Sequence, residues 1–184
     1  PDEVTIDQRS KAKMVSYGLA YGMEAYGLAQ RLNIPVDEAA PIRDAYFEAF
    51  PNVKANRERT VEEARERGYT ETLFGRRRPI PELMNSNCRV RQAGERQAMN
   101  AGIQGLAADI FKVALVRIDE ALVVGGYASR VVLQVHDEVI VEVPDDEHDV
   151  VGELVVGLMR DAADLDVPLE VNVSWGETWA SAKG

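Results

Sequence analysis

An α+β fold is what this sequence predicts, and three observations carry the prediction. The first half breaks into helix-length segments punctuated by glycine and proline, and a long helical pattern follows from about Arg89 to Val124. Residues 131–143 then read Val-Val-Leu-Gln-Val-His-Asp-Glu-Val-Ile-Val-Glu-Val. Two β-branched runs on either side of a polar break are how a tight antiparallel hairpin reads.

Taken in order, the first helix is expected from Asp7 to about Ala20, with Asp7 as its N-cap. Gly18 and Gly22 bracket Tyr21 and end it, and Gly27 punctuates the next segment, which closes at Asn33-Ile34-Pro35. A third helix runs from Val36 to about Phe50. A fourth begins at Pro51 and stops at Gly68. Its cations Lys54, Arg57, Arg59, Arg65 and Arg67 alternate with Glu58, Glu62, Glu63 and Glu66, which is most simply a solvated face. Tyr69 to Phe74 alternates as a short strand, and Gly75 turns it into Arg76-Arg77-Arg78. Those three arginines cannot all face one way, so a supporting role and a phosphate-contacting role are both open. In the long helix Ile110, Ala114, Leu115 and Ile118 are core positions. Past the hairpin, Pro144-Asp145-Asp146-Glu147 opens another helix, His148 reads as a surface histidine, and Leu169 to Trp175 alternates as a final strand. Trp175 and Trp179 read as packing residues.

Composition narrows the class. Of 184 residues 46% are hydrophobic and 28% charged, as in an ordinary soluble globular protein. No apolar run approaches the roughly 20 residues that span a bilayer, so no membrane partner is expected. Cys88 is the single cysteine, which excludes an intrachain disulfide and points to a reducing compartment. The start at Pro1, without an initiator methionine, reads as a cut inside a longer protein. Net charge is −10, yet residues 1–100 hold 16 of the 21 Lys and Arg against 15 of the 31 Asp and Glu. The cations therefore sit on the first half, and a local basic stripe there is compatible with nucleic acid despite the global acidity.

Three constellations carry chemistry. Arg9, Lys13 and Tyr17 fall four apart, so each advances about 40° past a full turn and the three share one helical face. A guanidinium, an ammonium and a ring in line fit a triphosphate and its sugar or base. They equally fit a solvated basic helix with an aromatic edge. Arg96, Asn100 and Gln104 form a second such stripe, suited to the edges and sugars of a duplex or to packing on a neighbouring helix. Gly102 and Gly105 beside it suggest that something packs close. At the hairpin tip His136, Asp137 and Glu138 place two carboxylates where a hard cation such as Mg²⁺ could bind. A merely solvated tip is the other reading.

These motifs together resemble one family. Arg9-Ser-Lys-Ala-Lys13-Met-Val-Ser-Tyr17-Gly18-Leu-Ala-Tyr21-Gly22 is similar to the nucleotide-binding fingers helix of the bacterial DNA polymerase I family (family A). Gln134-Val135-His136-Asp137-Glu138 resembles its palm turn with a catalytic aspartate. Thr72-Leu-Phe-Gly-Arg-Arg-Arg78 and Arg96-Gln-Ala-Met-Asn100-Ala-Gly-Ile-Gln104-Gly105 match between them, in order, and the resemblance runs from about Asp7 to Ala180.

The resemblance implies helical fingers plus part of an antiparallel palm sheet with a catalytic hairpin. It divides the chain into 1–88, mainly fingers helices and a short strand, and 89–184, the long helix, palm hairpin, helix and C-terminal strand. It implies template-directed nucleotidyl transfer onto a primer 3′ hydroxyl with two Mg²⁺ ions, in DNA replication and repair. Arg9 and Lys13 would hold the incoming triphosphate, with Lys13 also assisting catalysis. Tyr17 would lie on the sugar, easing dideoxynucleotide acceptance relative to a Tyr17→Phe variant. Tyr21 would meet the templating base, and Arg96, Asn100, Gln104 and Gln134 would track primer-template DNA. His136 would sit by the primer end, Asp137 would bind metal and Glu138 would assist from behind it. The implied partners are primer-template DNA, deoxynucleoside triphosphates and the upstream palm and thumb of the same polypeptide, in the bacterial cytoplasm at the nucleoid. The family's other catalytic aspartate has no counterpart before Arg9, so the chain alone is expected to be inactive. A non-catalytic nucleotide or primer-template binding module is the alternative. A metal-dependent nuclease is weaker, because it leaves the Arg9-Lys13-Tyr17 stripe unexplained.

Overall fold

The computed structural model describes residues 4–183. The chain folds as two compact units, one ending at Leu106 and the other beginning at Ala107.

The first unit opens with α1 (Ile6–Ala20). Its N-cap is Thr5, which corrects the expectation at Asp7. The Thr5 hydroxyl accepts from the Gln8 amide at 3.2 Å, and the Gln8 side chain accepts from the Thr5 amide at 2.9 Å. This reciprocal box satisfies two helix-end donors, so Asp7 is left in the first turn, where it pairs with Lys11 at 2.8 Å. Helices α2 (Ala25–Leu32), α3 (Val36–Ala49) and α4 (Pro51–Arg67) follow. Asn33 at φ 56° and Gly68 at φ 76° end α2 and α4 in the left-handed conformation. Leu19, Leu28, Ala29 and Ala39 form one core of this unit, joined by Met23, Tyr46 and Phe47. Ala64, Ile80, Leu83 and Ala98 form another.

The expected strand from Tyr69 to Phe74 is shorter, and it has a partner that the sequence pattern does not reveal. β1 (Tyr69–Glu71) pairs antiparallel with β2 (Arg77–Pro79). The reverse turn is closed by the Gly75 amide donating to the Thr72 carbonyl at 2.9 Å, which takes Leu73 and Phe74 out of the ladder. α5 (Cys88–Gly125) is the long helix, and the division between the units falls within it.

In the second unit β3 (Arg130–Val135) pairs antiparallel with β4 (Glu138–Glu142), with a register irregularity between Val131 and Leu133. One extra residue there interrupts the alternation, and both Val132 and Leu133 are exposed. Val131, Val139, Val141 and Val143 pack on Ile118, Leu122 and Val151, the last from α6 (His148–Arg160). Ala114 and Ile118 are buried as expected, whereas Ile110 and Leu115 are half-buried. Glu147 ties α6 to the start of β3, accepting from the Ala128 amide at 2.8 Å and the Ser129 amide at 2.9 Å. The Ser129 hydroxyl also donates to it at 2.5 Å, and this bond, with those from the two amides, holds the Glu147 carboxyl below the usual carboxylate range.

The expected final strand from Leu169 to Trp175 is not a strand. Alternation suits a pleated ladder, but β3 and β4 pair only with each other among the described residues, and this segment has no ladder partner. Trp175 packs on α6 instead, its ring 3.7 Å from that of His148. A Cβ on Gly152 would stand only 2.9 Å from it. The described chain ends with α7 (Trp179–Lys183). No described helix is long and apolar enough to cross a membrane.

Candidate functional site

On the first unit the stripe expected from the four-residue spacing is present. Arg9, Lys13 and Tyr17 are all exposed on α1. The Lys13 ammonium lies 5.7 Å from the centre of the Tyr17 ring, which stacks on Tyr21 at 6.2 Å and 14°. Among the described residues no carboxylate pairs with Arg9 or Lys13, while Lys11, on another face of the same helix, is paired. Two cations, one of them beside a ring, on a capped helix form a surface whose charge suits polyphosphate.

Tyr21 caps the C-terminus of α1, and Gly22 follows at φ 89°. A Cβ at Gly22 would lie 3.3 Å from the Met99 side chain and 3.4 Å from Arg96 Cγ, so the turn carrying Tyr21 rests on α5. On that helix Arg96 and Gln104 are exposed and Asn100 is half-buried. The Asn100 Oδ1 is buried and has no hydrogen-bond partner among the described residues. The two neighbouring glycines behave differently. Thr72 Cγ2 would be 2.7 Å from a Cβ at Gly105, as a close approach requires, but nothing lies within 4 Å at Gly102.

The arginine run is partly structural. Arg77 donates to Glu71 at 2.6 Å and sits 4.9 Å from the Tyr69 ring centre, and the hydrogen bond to Glu71 raises its pKa. Arg78 reaches Gln97 at 3.3 Å.

On the second unit Val135 pairs with Glu138, so His136 and Asp137 alone form the turn, and Glu138 belongs to β4. His136 has φ 54°, a left-handed conformation in which histidine is one of the tolerated side chains. The Gln134 amide donates to the His136 carbonyl at 2.7 Å, so here it braces the turn. Asp137 is exposed at the tip. Glu138 is held by the Lys183 ammonium, 2.9 Å from one carboxylate oxygen and 3.0 Å from the other.

The donor set fits a divalent oxygen-seeking cation in part. Mg²⁺ uses one or two protein carboxylates and completes its shell with water and substrate phosphate. Asp137 is suited to be one such ligand. No group of three candidate ligands occurs among the described residues, so a pair of ions would need carboxylates beyond these.

Sequence patterning misses a group on the first unit. Glu24, Arg43 and Arg57 pair across three elements, and Arg57, on the α4 face expected to be solvated, is only 12% exposed. A glutamate at a helix N-cap, where small polar residues are preferred, is the signal that points to it.

A sequence profile of DNA polymerase family A matches residues 1–181. The DNA polymerase I of Mycobacterium tuberculosis is 51% identical over 181 residues, covering 98% of this chain and 20% of that protein. That of Streptococcus pneumoniae is 45% identical over 183 residues, covering 100% of this chain and 21% of that protein. A solved structure, the POL domain of Pol1 from M. smegmatis in complex with DNA primer-template and dNTP, matches with a TM-score of 0.95 and 49% identity. It covers 100% of this chain and 32% of that one. The chain thus spans about a fifth of the length of the curated relatives it matches.

Proposed function

Because this chain belongs to DNA polymerase family A, we propose that it supplies the fingers and part of the palm of a template-directed DNA polymerase. The observation that carries this reading is the α1 stripe, Arg9, Lys13 and Tyr17 exposed on one face with no carboxylate neutralising the cations among the described residues. The M. smegmatis domain was solved with primer-template and dNTP, which supports the same partners here.

In this reading Arg9 and Lys13 hold the triphosphate of the incoming nucleotide, with Lys13 meeting the charge that develops as pyrophosphate leaves. Tyr17 lies against the sugar and Tyr21 meets the templating base. Arg96, Asn100 and Gln104 follow the duplex. Asp137 holds metal at the hairpin tip. Glu138, neutralised by Lys183, acts behind it, and His136 sits by the primer end. Gln134 holds the turn and contacts the primer strand only as far as that bond permits. Two Mg²⁺ ions, when bound, would activate the primer 3′ hydroxyl and stabilise the departing oxygens. In this reading a further carboxylate would come from outside this chain, and the chain alone would bind without catalysing.

The test is single-nucleotide incorporation on a primed template by a polypeptide carrying this chain together with the upstream portion of its relatives, beside its Asp137→Ala variant. Template-directed incorporation that disappears in the variant supports polymerase chemistry. A folded polypeptide that binds nucleotide and incorporates none would leave a non-catalytic binding module.

A further inference from the structure

Glu24 stands at the N-cap of α2, yet its side chain makes no capping hydrogen bond. Its two oxygens reach away from the helix end, one to Arg57 at 2.8 Å and the other to Arg43 at 3.4 Å. Arg57 is itself enclosed by parts of three helices. Its Nε donates to Met99 Sδ of α5 at 3.2 Å, and its guanidinium lies 5.0 Å from the Phe47 ring centre of α3. Met99 is also the side chain against which Gly22 is seated. The contacts therefore run from Glu24 through Arg57 and Met99 to the Tyr21-Gly22 turn, and from Tyr21 by ring stacking to Tyr17.

A cleft of about 290 Å³ opens beside Ala20, the residue before Tyr21, and one of about 830 Å³ opens beside Glu24. Arg57 and Met99 line both clefts. Removing the carboxylate would leave a largely enclosed guanidinium without its ion-pair partner, free to swing away from the turn toward the other carboxylates of the larger cleft, Glu58 and Glu62 among them.

We propose that Glu24 and Arg57 are positioning residues that pin the Tyr21-Gly22 turn and so set how stringently the polymerase matches the incoming nucleotide to the templating base. The proposal rests on the assignment of α1 to the nucleotide and Tyr21 to the template. Neither residue touches a reacting atom, so their loss acts on selectivity and on nucleotide KM more than on kcat.

Glu24→Ser separates positioning from stability, because serine is a good N-cap and returns the bond that glutamate forgoes. In the polypeptide carrying the upstream portion, Glu24→Ser should remain folded at the assay temperature and keep kcat for the correct nucleotide within about twofold, while misinsertion rises about tenfold. Glu24→Gln, which keeps the reach and loses the charge, should fall between. Lys13→Ala is the control. If Lys13→Ala cripples incorporation while Glu24→Ser leaves misinsertion and nucleotide KM unchanged, the pin is overturned and the role of α1 stands. If Lys13→Ala changes nothing, the role of α1 fails and the pin falls with it.

Discussion

Arg9, Lys13 and Tyr17 stand along a capped helix of 15 residues, whereas Asp137 stands at a turn of two residues between short strands. On the helix each side chain is placed by the same backbone repeat, and a change at one position leaves the others where they were. At the hairpin the placement of Asp137 depends on a left-handed His136, on one bond from Gln134 and on strands that pair with nothing else described. The charges divide in the same way, with Arg9 and Lys13 meeting no carboxylate among the described residues on the helix and carboxylates standing at the hairpin. The comparison teaches that the α1 face should tolerate local change, while the hairpin tip should be sensitive to its neighbours.

The largest expected effect comes at the tip. Asp137→Asn keeps the shape and loses the charge, and in the catalytically competent polypeptide it should cut the single-turnover incorporation rate by about a thousandfold or more. Glu138→Gln, already neutralised by Lys183, should cost about tenfold. Equal losses would break the distinction between the two carboxylates. Next in size is His136→Val. A β-branched residue at φ 54° should destabilise the hairpin by about 2 kcal/mol, read by chemical denaturation, whereas His136→Gly should be tolerated there. On the helix Thr5→Ala removes the cap and should cost about 1 kcal/mol, seen as faster amide exchange at Gln8 with the rest of α1 intact.

The smallest effect is one of pH. Glu147 is held below the usual carboxylate range by Ser129 and Ala128, so its charged form stabilises the fold above that range. That stability is lost as pH falls through the lowered value. Thermal unfolding of Glu147→Gln should therefore differ from the parent at neutral pH and converge with it in acid. A gap that widens in acid would reverse the sign.

Much of this is legible in the sequence because it is periodic. The four-residue stripes, the stops at Asn33 and Gly68 and the β-branched runs around the tip are local patterns, and the structure has each of them. What is not legible depends on partners distant in sequence. Arg57 reads as one of several solvated cations, yet Glu24, Phe47 and Met99 enclose it from other elements. Leu169 to Trp175 has the alternation of a strand and, among the described residues, lacks the neighbour that makes one. The bond from Gln134 to the His136 carbonyl likewise arises only once the turn has closed.

The division of labour between helix and hairpin is tested most directly by rapid-quench incorporation measured across nucleotide concentration, with Lys13→Ala and Asp137→Ala side by side in the polypeptide carrying the upstream portion. Lys13→Ala should weaken apparent nucleotide affinity as well as the maximal rate, and Asp137→Ala should abolish the rate while nucleotide still binds. An Asp137→Ala variant that incorporates at the parent's maximal rate would contradict the account.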